Sequence, residues 1–361
     1  MPRVSIIVPT YNRPHLLERA LCSIMQQTFR DFEVIVVNDA GCSVENHVRK
    51  FKAFSIKTIN LTANGGSSIA RNKAIECASG KYIAYLDDDD IFYPEHIQSL
   101  YTAAESTASD FVYSECADVL ENACGETIAE VERVFPPYHP SLIKRKNFIP
   151  VCCILHARAL FEKTGFFDPK ILFAEDWEMW FRMSRITSFY HLRKVTCEYR
   201  KSIVQENKNA QSKTLENNQS FANLLFEKYN IVADIRKRFP IIPEEVLQQV
   251  SLQFKNRPVY LYGAGSYCEQ VIPALKNTLA GVFDIHADSV KENIKKRYGV
   301  DVLHPAEMVS MADIPVLSTV VDRIADVLES IYSYKGNVEH VFFLDDFFDD
   351  VCNAYTIRNN R

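Results

Sequence analysis

At 361 residues, 47% hydrophobic and 24% charged, the chain has the make-up of an ordinary globular protein and the length of about two domains. A formal net charge of −5 leaves no global basic field to gather nucleic acid, and the Lys144–Lys146 and Lys295–Arg297 clusters read as solvated faces. No apolar run approaches the ~20 residues that span a bilayer, and Met1–Val8 enters a strand pattern without a signal-peptide layout, so a cytoplasmic protein without a transmembrane segment is expected.

In chain order, Val4–Val8 (VSIIV) is a short, fully apolar run, as a buried parallel strand requires. Pro14 suits a first helical turn, and Leu16, Leu17, Ala20, Leu21, Ile24 and Met25 then recur at helical spacing. Phe32–Val37 predicts a second strand and Ile56–Leu61 a third. Ser67–Ala78 reads as a helix closed by Gly80, and Lys81–Leu86 as a strand running straight into four aspartates, Asp87–Asp90. Alternating strand and helix signals argue for a parallel α/β sheet, whose ligands bind outside the carboxyl ends of the strands. Pro9–Arg13, Asn38–Gly41 and Asp87–Asp90 all fall at such ends and should converge on one crevice.

Further on, Asp110–Tyr113 and Val151–His156 carry strand signals, and a helix opens at Glu175. Residues 201–220 are strongly polar and read as a surface loop or flap. From Thr214 a helical stretch puts Phe221, Leu224 and Leu225 on one face, and Pro243–Phe254 reads as a connecting helix. A new α/β pattern starts at Arg257 (RPVYLYGAGSYCEQV). The expected division is 1–205 for a first α/β domain, 206–250 for a helical linker and 251–361 for a smaller Rossmann-like domain. The ten cysteines form no CxxC pair, and adjacent Cys152 and Cys153 suit neither a disulfide nor a structural zinc site, so they read as reduced thiols.

Four aspartates at the end of a buried strand repel one another unless something positive joins them. Hard divalent cations prefer carboxylate oxygens, and Mg²⁺ is usually held by one or two carboxylates plus substrate phosphates. Alone, the run is equally consistent with a solvated acidic loop or a helix cap.

The surrounding motifs weigh against that blander reading. They are VSIIVPTYNR (4–13), FEVIVVND (32–39), NGGSSIARN (64–72), GKYIAYLDDDD (80–90) and EDWEMWFR (175–182). In this order and approximate spacing they resemble glycosyltransferase family 2, over roughly residues 3–200. The resemblance implies a GT-A fold, a nucleotide-sugar donor, and Mn²⁺ or Mg²⁺ as cofactor. It implies that Pro9, Thr10, Tyr11 and Asn12 line the donor pocket, with Tyr11 stacking on the base and Asp39 accepting a uracil or thymine N–H. Arg71 would approach the donor from the following helix. Asn38 departs from the family, where an aspartate is usual.

Asp87 and Asp89 fit the family's DxD pattern, with Asp89 foremost and Asp87 beside it as metal ligands. Asp87 or Asp88 would hold ribose or sugar hydroxyls. Four consecutive aspartates leave the register open by one residue, and Asp90 is an alternative helix cap near Pro94. Glu175-Asp176 resembles the family's acidic pair ahead of a helix, which makes Asp176 the general base and gives Glu175 an orienting or acceptor-contacting part. Either tryptophan of that motif, Trp177 or Trp180, is a candidate to stack on a sugar, with core packing expected of at least one. Tyr199-Arg200 resembles a late family pattern in which Arg200 meets the diphosphate, and a surface ion pair is the equal alternative.

The reaction implied is inverting transfer of a sugar from a UDP- or dTDP-sugar to a glycan or lipid-linked acceptor hydroxyl. Peripheral contact with a membrane and assembly of an oligomer through the C-terminal domain stay open. In that domain, Gly263-x-Gly265 follows a strand, and Asp284 stands near the spacing at which an acidic residue binds a ribose. The third glycine of the dinucleotide fingerprint is missing, with Glu269 in the region, which disfavours an oxidoreductase; a structural or assembly role is favoured over binding of a nucleotide sugar. The competing reading of the whole is a non-catalytic nucleotide-sugar-binding scaffold of a glycan-assembly complex; the intact acidic pair argues against it.

Overall fold

The computed structural model of the chain describes residues 2–122, 124–202, 229, 231, 235, 241–275, 278–284, 286–310, 315–321, 323–335 and 341–349. The polar stretch from 203 to 220 and the helical signal around Phe221, Leu224 and Leu225 lie outside them. The chain divides into two compact units, Met1–Phe221 and Ala222–Arg361.

The strands of the first unit are β1 (Val4–Thr10), β2 (Phe32–Asn38), β3 (Ile56–Asn60), β4 (Tyr82–Tyr85), β5 (Ile91–Phe92), β6 (Phe111–Glu121), β7 (Thr127–Arg133), β8 (Ile154–Ala157) and β9 (Tyr190–Ser202). Its helices are α1 (Pro14–Met25), α2 (Glu45–Val48), α3 (Gly66–Cys77), α4 (His96–Thr107), α5 (Pro140–Arg145), α6 (Phe161–Thr164) and α7 (Glu175–Ser184). The sheet order is β3-β2-β1-β4-β8-β6-β9-β5, with β7 on β6. Strands β3, β2, β1 and β4 are parallel, which fits their near-continuous apolar runs: Val4, Ile6, Ile7, Val8, Val34, Ile35, Val36 and Val37 are fully buried.

Beyond β4 the expected parallel pattern breaks. β8 slots between β4 and β6 and runs antiparallel to both. The α4 crossover carries β6 into parallel alignment with β4, whereas β8 follows a 3₁₀ turn, Val151–Cys153, instead of a crossover helix. The stripe on α1 buries Leu17, Ala20, Leu21 and Ile24, but Met25 at the helix end is exposed. Cys116, Cys152, Cys153 and Cys197 are buried free thiols, with Cys153 Sγ 3.6 Å from Cys197 Sγ.

The second unit carries β10 (Val259–Tyr262), β11 (Leu279–Phe283), β12 (Val302–Leu303), β13 (Val316–Ser318) and β14 (Val341–Phe343). They form a parallel sheet in the order β12-β11-β10-β13-β14. Taking β10 as first, that is the winding of a Rossmann sheet, with its switch point between β10 and β13. The helices are α8 (Glu244–Gln253), α9 (Ser266–Val271), α10 (Ala287–Tyr298) and α11 (Ile324–Lys335). Val246, Val250 and Phe254 of the α8 segment pack into this unit's core with Val259, Leu261 and Phe348. Among the described residues, no helix is long and apolar enough to cross a membrane.

Candidate active site

The loops at the carboxyl ends of β1, β2 and β4 meet, as their shared direction requires. Asn12, in the left-handed region at φ 55°, accepts the Cys42 N–H through Oδ1 at 2.8 Å, tying the β1 loop to the β2 loop. Gly41 makes the approach possible: a Cβ there would stand 2.6 Å from Asn12 N. Asn38, the departure from the family pattern, is buried and holds the same loop, accepting the Gly41 N–H at 3.0 Å and donating to Cys42 O at 3.0 Å. Asp39 accepts the Gly65 and Gly66 N–H groups, each at 2.8 Å, and so secures the start of α3.

These loops frame a cavity of ≈ 220 Å³ lined by Pro9, Thr10, Tyr11, Arg13, Asp39 and Arg71, and by Asp87 and Asp88 on the β4 side. Tyr11, one of the lining residues, is 44% exposed. Asn12 is absent from the lining; it shapes the loop instead.

Each aspartate has a different environment. Asp87 takes two contacts from Arg71 Nη2, at 2.7 and 3.0 Å. Asp88 is buried; its Oδ2 accepts from Thr10 Oγ1 at 2.7 Å. Its Oδ1 lies 2.8 Å from Arg13 Nη2 but without hydrogen-bond geometry, so this buried oxygen keeps an unused lone pair. Asp89 Oδ2 accepts from Arg13 Nη1 at 2.6 Å. Burial pushes the Asp88 carboxyl up to about 7, against the pull of Arg13. Burial likewise raises Asp89, opposed by Arg13. Asp90 is not a helix cap: it is buried, accepts the Arg200 N–H through Oδ1 at 2.9 Å, and α4 begins at His96 with no side-chain cap. The turn bond from Asp90 N to Asp87 O, at 3.1 Å, folds that last residue back toward the sheet.

The turn reaches the acidic pair through one side chain. Arg71 is buried, with Nη2 on Asp87 and Nη1 on Glu175 Oε1 at 2.6 Å. Ser67 Oγ also donates to Glu175 Oε1. Despite the loss of water, Arg71 and Ser67 together hold the Glu175 carboxyl below its ordinary value. The next residue behaves oppositely. Asp176 is half-buried, and desolvation with the adjacent Glu175 charge raises it to about 7. Its Oδ1 accepts from Trp177 N at 2.7 Å and Asn147 Nδ2 at 3.2 Å. Among the described residues its Oδ2 has no hydrogen-bond partner. Glu175, Asp176 and Glu178 crowd the first turn of α7, where the helix dipole favours negative charge.

Other expectations fare differently. Trp177 and Trp180 are both buried, so neither offers a face to a sugar; Trp177 Nε1 donates to Ile143 O at 2.6 Å, and Trp180 packs on Tyr85 and Phe111. Arg200 is engaged by Glu121 and Glu198 and is an ion pair here. Sequence reasoning gave no part to Arg13, although it lies within the first motif, nor to Asn147, which no motif marks. In the second unit, Asp284 Oδ2 accepts the Ala264 N–H at 2.7 Å, and Val320 Cγ2 lies 2.4 Å from where a Gly263 Cβ would stand. At Gly265, by contrast, a Cβ would meet nothing among the described residues within 4 Å.

Residues 5–163 match the family model Glycosyl transferase family 2. The chain is 30% identical over 249 residues to the uncharacterized glycosyltransferase YwdF of Bacillus subtilis (strain 168), spanning 67% of this chain and 90% of that protein. It is 30% identical over 196 residues to the putative colanic acid biosynthesis glycosyl transferase WcaA of Escherichia coli (strain K12), spanning 50% of this chain and 66% of WcaA. It covers less than two thirds of several other curated relatives. Among solved structures, S. aureus TarS 1-349 in complex with UDP-GlcNAc aligns with a TM-score of 0.51 at 18% identity, over 99% of this chain and 92% of that one, a likeness of fold. Fold and relatives together define a glycosyltransferase with a GT-A domain and a second sheet domain. The chain belongs to glycosyltransferase family 2.

Proposed function

We propose that this protein moves a sugar, with inversion, from a UDP- or dTDP-sugar to a hydroxyl of a glycan or lipid-linked acceptor, using a divalent cation at the aspartate turn and Asp176 as general base. The observation that carries the reading is Arg71: one buried guanidinium joins Asp87 to Glu175 beside the ≈ 220 Å³ cavity, so the donor-side acids and the acidic pair serve one site. The name of WcaA points to polysaccharide assembly as the setting, and the TarS complex to a UDP-sugar donor.

The carboxylates suit a hard cation. Asp89 is the principal ligand, and the orphaned Asp88 Oδ1 is a better second than Asp87, whose carboxylate is committed to Arg71. When bound, Mn²⁺ or Mg²⁺ supplies charge stabilisation for the departing nucleoside diphosphate. Tyr11 stacks on the base, and Pro9, Thr10 and Asp39 shape its pocket. Glu175, locked on Arg71 and Ser67, stays charged and orients the start of α7. Asp176 takes the acceptor's proton on Oδ2 while its Oδ1 is held by Trp177 N and Asn147. A carboxyl near 7 is matched to that work at neutral pH. As the acceptor oxygen attacks the anomeric carbon opposite the diphosphate, the configuration inverts. The second domain serves structure or assembly.

A panel of nucleotide sugars, screened by thermal shift and by transfer assay with and without chelator, tests this. The expected result is a rise in Tm and turnover with one donor class, both lost in excess EDTA and restored by Mn²⁺ or Mg²⁺. Full turnover in excess chelator contradicts the cation's part; donor binding with neither hydrolysis nor transfer on any acceptor favours the scaffold reading.

A further inference from the structure

The aspartate turn already has a positive partner. Arg13 stands just before α1, lines the cavity, and has a side chain 36% accessible to solvent. Its Nη2 is 2.8 Å from Asp88 Oδ1 and its Nη1 is 2.6 Å from Asp89 Oδ2. Those are the two acids assigned above to the divalent cation. A guanidinium and a metal ion cannot share the same lone pairs, since Mg²⁺ demands oxygens at about 2.0–2.1 Å.

The turn's two arginines differ in how firmly they are held. Arg71 is buried and bridges two acids, Asp87 and Glu175. Arg13 is partly solvated, and its contact with Asp88 Oδ1 is one of charge without a hydrogen bond. Among the described residues, its guanidinium hydrogen-bonds only to Asp89. A diphosphate in the cavity would offer its planar guanidinium pairs of oxygens that accept two hydrogen bonds at once.

Resting on the donor reading, we infer that Arg13 is a resident counter-ion which the divalent cation must displace, and that the donor's diphosphate draws it away. Without donor, Arg13 relieves the repulsion among the carboxylates and keeps the cation's affinity low. With donor, cation and diphosphate bind together, and each raises the other's affinity by the same factor.

The test measures Mn²⁺ binding, by loss of the free-ion EPR signal, to the full chain as wild type, Arg13→Gln and Arg13→Lys, each with and without UDP. Melting curves in the same conditions report folding. Without UDP, Arg13→Gln is expected to bind Mn²⁺ about tenfold tighter than wild type, and Mn²⁺ alone should raise its Tm. UDP should tighten Mn²⁺ binding to wild type about tenfold, and to Arg13→Gln by less. Arg13→Lys keeps the charge without the guanidinium fork that spans both carboxylates; it should fall between the two and serves if the glutamine variant does not fold. Equal Mn²⁺ affinity in all three without UDP, with binding intact in its presence, overturns the part given to Arg13 and leaves the donor reading standing. No Mn²⁺ binding by wild type even with UDP overturns the donor reading, and this inference with it.

Discussion

Tyr85 and Leu86 deliver four aspartates to the end of the parallel part of one sheet; Tyr262 delivers a glycine loop to the end of a second, parallel one. By topology both are places where α/β proteins bind nucleotides. In the first unit the loops leave a cavity, a buried carboxylate oxygen without a hydrogen bond, and an acid raised to about 7. In the second, the loop's Ala264 N–H is taken by Asp284, Thr319 Oγ1 donates to Gly263 O at 2.7 Å, and Val320 fills the space above the glycine. A sheet's winding makes a ligand site available, and at the first unit's loops a carboxylate oxygen without a hydrogen bond lies at the cavity.

That contrast can be attacked from several sides. The largest effect should come from Asp176→Asn, which keeps the shape but removes the base: turnover should fall about 10²–10⁴-fold while UDP binding persists. Near-normal turnover would take Asp176 out of the role. Arg71→Met should come next, because it strands Asp87 and Glu175 on each other's side of a water-poor site. We expect a loss of about 3 kcal/mol in urea unfolding of the first unit, together with loss of donor binding. Gly263→Ala should act only on the second unit. Gly263 has φ +95° and no room for a Cβ, so about 1–3 kcal/mol of stability should go, with UDP affinity unchanged. Weakened UDP affinity in that variant would erase the distinction drawn between the two loops.

The smallest effect is graded by pH. Asp176 must be ionised to accept a proton, so kcat/KM should climb about tenfold per unit toward about pH 7 and level off above it. The sign for stability is opposite. Folding raises this carboxyl from its ordinary value of 3.8 to about 7, so the folded state holds the proton more tightly. Its contribution therefore favours folding at low pH and is lost as pH rises through that window. A flat profile between pH 5 and 8 would mean that another group takes the proton (the window is the ordinary one for a raised carboxyl).

Much of the fold was legible in the sequence because buried parallel strands are short unbroken apolar runs; VSIIV and FEVIVV could hardly be anything else. The β8 insertion was not, since a four-residue strand entering from a 3₁₀ turn carries no periodicity that fixes its direction. For the site, chain order predicted that the β1, β2 and β4 loops would meet, and they do. What it could not give was the allocation of charge within the meeting. Whether Arg71 or Arg13 faces a given aspartate depends on side-chain reach across a helix start, which one-dimensional spacing does not encode. The two tryptophans after the acidic pair show the same limit: helical spacing alone does not say that both turn inward. The glycine loop shows the same limit: its pattern is recognisable, but its spacing does not say that Asp284 takes the Ala264 N–H or that Val320 packs against Gly263.

On this reading the aspartate turn binds a cation with the donor's diphosphate at the cavity lined by Arg71, whose guanidinium also holds Glu175, the neighbour of Asp176. The most direct measurement is a crystal structure of the protein soaked with UDP and Mn²⁺, using the manganese anomalous signal. The account predicts one strong peak within coordination distance of Asp89 and Asp88, about 2.2 Å by analogy with other hard divalent ions, with the pyrophosphate beside it and the cavity filled. A manganese peak away from that turn, or a nucleotide seated on the Gly263 loop with the first cavity empty, would contradict it.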